Sequence, residues 1–437
     1  MGIVSRVLFR GWAIIWISLL ITVLIWITTL SDSSFIRQDP FLFFSKMVAL
    51  PGTVGMCWTF ILSTRLRVLE DLFSGLDKVY HAHRTMGIVS FCLICLHPLF
   101  QVFRFLPNWN HGMRLFLVQE LGPIEFGLFA FILFIVLITL TLWVKIPYHI
   151  WKKTHELFIC VLLLGLIHIV WINKQINASL LLSIWFYGFI FLAITSYIYI
   201  RYLYRYLGPR FIYRIERIEK KGKVWNFELK PTQKKMVYKP AQFIYISFDN
   251  PKVSSESHPY SISSSPDQDC LRISIKSLGD YTAKLGSLCV GDKATLWGAY
   301  GHFYEKFICE KEKDLVLIAG GIGITPFLSI LHFEAKRLSN RKIHLFYCVK
   351  NSSRAYFHSE IEGLAKSNHS IHYNLWCSDT QGFMDVQDIA QKMGGDLNNK
   401  LYFLCGPLPM MDLFIRELNQ KGVKSKYIRY EDFNLLD

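Results

Sequence analysis

Six stretches of this sequence are almost wholly apolar, and all lie in its first half: 11–30, 41–62, 84–103, 122–143, 153–172 and 179–200. Each is close to the ~20 residues an α-helix needs to cross a hydrocarbon layer about 30 Å thick, so each predicts a transmembrane helix. The first is too long for a removable signal and lacks a small-residue cleavage site. Around Gly208-Pro209 the pattern changes. Segments 210–219, 224–230, 241–248, 259–263 and 270–276 are short and β-rich, and are bounded by Gly, Pro, Asn and Asp. They predict a small antiparallel barrel. From residue 314 strands (315–319, 343–349, 371–376, 401–405, 427–430) alternate with helices (325–338, 358–366, 385–393, 408–419). That alternation predicts a parallel sheet covered on both faces. The chain thus divides into a six-helix membrane domain (1–207), a β-barrel (208–310) and a Rossmann-like α/β domain (311–437).

Histidines interrupt two of the apolar spans. His83 and His97 stand 14 positions apart, near the two ends of the third span. On an ideal helix they are roughly 40° from eclipsed and about 21 Å apart, so one face presents an imidazole near each side of a bilayer. His155 and His168 repeat the arrangement in the fifth span, 13 residues apart. Thirteen residues turn an ideal helix by about 220°, so both rings face one partner only if that helix bends or carries a bulge. A polar ring in hydrocarbon is costly without a partner. Two helices with two imidazoles each suit two haems, one above the other.

Loop charges set the orientation. With the N-terminus inside, the inner segments carry thirteen Lys and Arg, from Arg6 to Arg214, against four outside: Arg37, Arg104, Arg114 and Lys174. This places both termini and the whole second half in the cytoplasm, in a multi-pass protein of the plasma (inner) membrane. The bias, with contact to anionic lipid, accounts for much of the net charge of +15. Nucleic acid as a partner is excluded, since no basic-aromatic patch or nucleic-acid motif is present. The ten cysteines lack metal-ligand spacing, and Cys92-Leu93-Ile94-Cys95 reads as packing in mid-span.

In the soluble half, Leu317-Ile318-Ala319-Gly320-Gly321-Ile322-Gly323-Ile324-Thr325-Pro326 runs from a buried strand into glycines. Thr325 is placed to cap the following helix and Pro326 to fill its first turn. Free amides at that helix start suit a pyrophosphate. The motif is neither a Walker loop nor the standard dinucleotide fingerprint. His258-Pro259-Tyr260-Ser261 offers a stacking ring and hydroxyls to a flat heteroaromatic. Lys276, Gly279 and Thr282 frame a glycine turn into a short helix that can hold phosphate.

Taken in order, these stretches resemble the ferric reductase and NADPH oxidase superfamily. Leu69-Glu70, Gly75-Leu76-Asp77, Tyr80 and His83-Arg84-Thr85-Met86-Gly87 are similar to its bacterial members. The resemblance implies a transmembrane di-haem bundle joined to a ferredoxin–NADP reductase-like module. Haem b would be held by His83, His97, His155 and His168, with the uneven 14 and 13 spacings included. FAD would be held by His258, Pro259, Tyr260, Ser261, Lys276, Gly279 and Thr282. Tyr260 stands where the membrane branch has Phe. Gly320, Gly321, Gly323, Thr325 and Pro326 would seat the nicotinamide dinucleotide, with Cys405-Gly406-Pro407 on its nicotinamide side. Phe433 in Glu431-Asp432-Phe433 resembles the aromatic that covers the flavin, although four residues follow it; a place in the core is the other reading. Ser353 and Arg354 follow the second strand of the last domain, where the family grips the adenosine ribose. Hydroxyls and an arginine there suit a 2′-phosphate, which favours NADPH over NADH.

The reading that follows is a transmembrane NAD(P)H oxidase or ferric-chelate reductase. Electrons pass from cytosolic NAD(P)H through FAD and two haems to an external acceptor, dioxygen (giving superoxide) or a ferric complex. The alternative is an electron-relay cytochrome subunit serving a membrane partner. Outward Arg104, His111, Arg114 and Lys174 are either an attraction for an anionic chelate or ordinary loop charges.

Overall fold

The computed structural model describes residues 3–30, 38–106, 109–113, 115, 117, 121–310, 312–337 and 341–431. Arg6–Arg205 form one compact unit, and the chain from Tyr206 belongs to another.

Six helical spans among the described residues are long and apolar enough to cross a membrane. They are α1 (Ile3–Thr28), α2 (Pro40–Leu62), α3 (Leu76–Phe103), α4 (Pro123–Leu142), α5 (Tyr148–Glu156) continued by α6 (Phe158–Ile172), and α7 (Leu180–Ile198). A π turn and one further helical turn extend α7 to Leu207. The predicted third span starts at 84, whereas α3 starts at Leu76 after Gly75. Its first turns are polar and so escape a hydropathy window, but Asp77 there complements the helix dipole. Leu157 separates α5 from α6 with ψ near −6°. The break falls between His155 and His168 and supplies an offset that an unbroken helix lacks. The main packing partners are α2 with α3 and α4 with α6.

In the second unit β1 (Arg210–Lys221), β2 (Val224–Pro231), β3 (Phe243–Asp249), β4 (His258–Ser261), β5 (Leu271–Lys276) and β6 (Lys293–Tyr300) form an antiparallel sheet. Their order is β4-β3-β6-β1-β2-β5, and an Ile262–Ile273 bridge joins its two ends into a barrel. Phe227, Leu229, Ile244, Ile246, Ile273 and Leu296 fill its interior. β6 is absent from the predicted strands, because Lys293, Ala294, Gly298 and Ala299 dilute its β pattern.

The α/β part runs β7 (Asp314–Gly320), α8 (Thr325–Ala335), β8 (Ile343–Val349), α9 (His358–Ser367), β9 (Ile371–Cys377), α10 (Val386–Lys392), β10 (Lys400–Cys405), α11 (Leu408–Gln420) and β11 (Ile428–Tyr430). The parallel order is β11-β10-β7-β8-β9. Strand order therefore reverses between β7 and β10, and ligands of open α/β sheets bind outside the carboxyl ends of strands at such a point. Both the Gly320 loop and the Cys405 loop open there.

Candidate functional site

The four membrane histidines meet in two pairs across α3 and the α5–α6 span. Ring centroids of His83 and His155 are 5.9 Å apart, and those of His97 and His168 are 6.3 Å apart. Every Nδ1 has a hydrogen-bond partner. His83 donates to the Thr59 carbonyl at 2.8 Å and His168 to the Pro123 carbonyl at 2.7 Å. His97 Nδ1 lies 2.8 Å from the Ser45 hydroxyl and 3.2 Å from the Ser45 carbonyl. His155 Nδ1 lies 3.4 Å from the Thr141 hydroxyl, which itself donates to Leu137. A carbonyl can only accept, and the Thr141 hydroxyl has spent its proton on Leu137, so each Nδ1 carries the proton and leaves the Nε2 lone pair to a metal. A ligating imidazole nitrogen lies about 2 Å from its metal, so rings at these separations leave room for one metal atom between them. The residues present fit haem ligation at both levels.

Close packing supports this arrangement. A Cβ at Gly127 would stand 2.6 Å from His168 Nδ1, so α4 approaches the ring only because that residue is glycine. Trp151 stacks on His155 at 4.9 Å. The hydropathy pattern hides Ser45, Thr141 and Gly127 because small or hydroxyl residues are ordinary in apolar helices. The carbonyl partners leave no trace in sequence at all. Arg104, read from the sequence as an outward charge, is tied to Asp39 at 2.7 Å and to Gln101 at 3.1 Å. Arg114 and the side chains of His111 and Lys174 lie outside the described residues.

β4 pairs only with β3, at the edge of the sheet order, where the missing N–H of Pro259 costs no ladder bond. His258 packs on Tyr281 with centroids 3.8 Å apart, and Tyr260 packs against the barrel core. Burial raises the phenols of Tyr260 and Tyr281 well above their ordinary range. The Tyr281 hydroxyl is buried and meets no hydrogen-bond partner among the described residues. A buried hydroxyl left in this state is costly, and a hydrogen-bonding group of a bound nucleotide would satisfy it. Thr282 accepts from the Leu278 and Gly279 amides at 2.8 and 3.0 Å, so its hydroxyl locks the turn. A Cβ at Gly279 would meet nothing within 4 Å. An aromatic cradle, an orphaned hydroxyl and an open glycine turn fit a flavin nucleotide. Tyr281 escapes a sequence reading because its partners are distant in the chain.

The glycines of the 320–323 loop divide into two kinds. A Cβ at Gly320 would stand 2.7 Å from Pro407 Cδ, and one at Gly323 would strike the Cys405 carbonyl. Those two let the loop nest against Cys405-Gly406-Pro407, which brings the two motifs together. Gly321 differs: its φ is +57° and a Cβ there would meet nothing within 4 Å, so its backbone is open to a ligand. Thr325 corrects the sequence reading. It lies inside the helix after a 3-10 turn (Gly321–Ile324), and its hydroxyl donates to the Ile322 carbonyl at 3.0 Å instead of accepting an amide as a cap. Pro326 occupies the first turn as read.

Ser353 and Arg354 lie on a 3-10 turn after β8 and both are exposed. Ser353 donates to Asn351 at 2.7 Å, and Asn351 in turn donates to Asp379 at 3.1 Å. The Arg354 guanidinium makes no hydrogen bond or ion pair among the described residues. Phe433 lies outside the described residues; Glu431, just before, is buried.

Three family models match the chain. A ferric reductase like transmembrane component matches residues 48–166, an FAD-binding domain residues 217–321, and an oxidoreductase NAD-binding domain residues 317–415. The chain matches the ferric reductase/NADPH oxidase-like superfamily. As in that superfamily, a domain with helices long and apolar enough to cross a membrane precedes stretches that match FAD-binding and NAD-binding domains. One component of the Na(+)-translocating NADH-quinone reductase of Shewanella denitrificans is 29% identical over 171 residues, 36% of this chain and 40% of the relative. The flavohemoprotein of Vibrio cholerae is 29% identical over 245 residues, 52% of this chain and 59% of the relative. The chain thus spans about half the length of these curated relatives. A flavohemoglobin structure from Malassezia yamatoensis, with bound FAD and heme, shares the fold with a TM-score of 0.51 at 19% identity. The match covers 89% of this chain and 98% of that one.

Proposed function

We propose that this ferric reductase-like protein moves electrons from cytosolic NAD(P)H through FAD and two b-type haems to an acceptor outside, dioxygen (giving superoxide) or a ferric complex. The bound cofactors supply hydride acceptance and one-electron transfer, and the chain supplies binding, orientation and electrostatics. His83 and His155 hold the haem nearer the cytoplasm; His97 and His168 hold the outer one. The observation that carries this reading is the pair geometry, with every Nδ1 engaged and every Nε2 left to a metal.

Residues 1–207 then form the di-haem domain, 208–310 the flavin barrel and 311–437 the nucleotide domain. Tyr260 and His258 line the flavin, Ser261 and Lys276 bond it, and the Gly279–Thr282 turn receives its pyrophosphate. Gly321 offers backbone to the nicotinamide dinucleotide, while Gly320, Gly323, Gly406 and Pro407 keep the two loops in register beside it. Exposed Arg354 favours NADPH. Flavin and nucleotide domains in the same chain favour a self-sufficient reductase over an electron-relay subunit. The test is NADPH consumption by purified protein loaded with FAD and haem, with and without oxygen and ferric chelate. Consumption that depends on oxygen or on the chelate supports the reading and names the acceptor. No consumption with either acceptor overturns it.

A further inference from the structure

A polar cluster between the barrel and the α/β domain takes no part in either ligand site described above. α8 leaves the glycine loop, and Ser329, His332 and Lys336 follow at spacings of three and four, which puts them on one face. The buried Ser329 hydroxyl donates to the Ser264 carbonyl at 2.6 Å. His332 Nε2 donates to Glu360 Oε1 at 2.6 Å, and Arg272 Nη2 donates to the same oxygen at 2.6 Å. Arg272 also reaches back to Ser263, its Nε to the hydroxyl and its Nη2 to the carbonyl, both at 3.2 Å. The side chains of Arg272, Glu360 and His332 are only 17, 17 and 18% exposed. Outside them, Lys336 pairs with Asp267 at 2.8 Å in the open.

The connections are short. From the glycine loop, α8 reaches Ser329 within its first turns, and Ser264 lies three positions beyond Ser261 at the end of β4. Tyr238 clamps the Ser264 hydroxyl and the Ser265 carbonyl, both at 2.8 Å, so this segment is fixed to the barrel as well. Hydrogen bonds therefore tie α8 and α9 to the segment that follows the flavin strand. Charge-assisted bonds from a planar guanidinium are directional and short, whereas an exposed lysine pair constrains little. Catalysis is sensitive to such spacing: a misplacement of about 1 Å can cost ~10²-fold in rate.

We propose that Arg272, Glu360 and His332 are positioning residues that set the approach of nicotinamide to flavin, and so the rate of hydride transfer, without contributing to nucleotide affinity. The proposal rests on reading 258–261 and 320–326 as the flavin and nucleotide sites. The step concerned breaks the C4–H bond of the dihydronicotinamide; the hydride carries its electron pair to the flavin, and oxidised nucleotide leaves.

The test is anaerobic single-turnover mixing of the full chain, loaded with FAD and haem, with NADPH or NADH, following flavin absorbance. Glu360→Gln keeps the shape and one acceptor oxygen but removes the charge. It should lower the limiting rate of flavin reduction tenfold or more, with apparent nucleotide Kd within twofold and FAD content unchanged. Lys336→Ala, at the exposed pair, should stay within twofold of wild type in both quantities. Should Glu360→Gln misfold, the double change Arg272→Met with Glu360→Leu leaves no charge buried alone and should show the same fall in rate. A folded, FAD-replete variant with a wild-type limiting rate overturns the proposal, even if its melting temperature drops. A loss confined to nucleotide affinity overturns it too. If NADPH and NADH both fail to bleach the wild-type flavin, the reading of the two sites fails instead.

Discussion

Gly127 shows how much one missing methyl carries. Gly127→Ala puts a carbon where the His168 ring now lies, so the ring must turn away from His97. Pyridine haemochrome assay should fall from close to two haems per chain toward one, while flavin reduction by nucleotide persists. Ser45→Ala is gentler. It removes the hydroxyl partner of His97 Nδ1 but leaves the carbonyl at 3.2 Å. Loss of such a supporting bond typically weakens a metal site about 10–100-fold, to be read as faster haem transfer to apomyoglobin. At the nucleotide end, Arg354→Ala should weaken NADPH use about 10- to 100-fold more than NADH use, since a charge-assisted bond contributes about 1.5–3 kcal/mol. Equal effects on both nucleotides would leave Arg354 an ordinary surface residue. Histidine spacing makes the pairs legible in the sequence because an imidazole in an apolar span stands out. Gly127 and Ser45 do not stand out, and the Thr325 hydroxyl faces the opposite way from its usual capping role.

Elements are more legible than their ends. Apolar length identifies every span, and alternation of strand and helix identifies the sheet around β7. The polar first turns of α3, the break at Leu157 and the diluted pattern of β6 all depend on neighbours in space. The ties of α8 and α9 to the barrel are equally invisible, and they carry a pH signature. Burial alone would raise the Glu360 carboxyl, but the His332 hydrogen bond and the Arg272 charge override it and hold it at about 2. A depressed carboxylate adds stability above its unfolded value near 4.5, and that stability is lost as pH falls from there toward 2. Urea unfolding between pH 5 and 3 should therefore show a steeper loss for wild type than for Glu360→Gln. Breaking a buried pair from one side costs about 3–5 kcal/mol, so the variant should also start lower at pH 7.

At the scale of the whole molecule, the chain from Tyr206 has its own barrel core around Phe227 and Leu296 and its own sheet cores on both faces of β7. Residues 208–437 expressed alone should fold, bind about one FAD per chain, and reduce an acceptor dye with NADPH or NADH. A soluble, folded fragment that neither binds FAD nor reduces dye would remove His258–Ser261 from the flavin site.

Each histidine pair joins two unlike supports. His83 and His168 give their Nδ1 protons to main-chain carbonyls, whereas His155 meets only a hydroxyl and His97 a hydroxyl backed by a carbonyl. A carbonyl persists through almost any substitution at its own position, so one imidazole of each pair keeps its orientation as the sequence drifts. Thr141 and Ser45 can each change by a single codon. Each pair thus holds one imidazole whose orientation no side-chain replacement removes and one, facing Ser45 or Thr141, that a single substitution loosens.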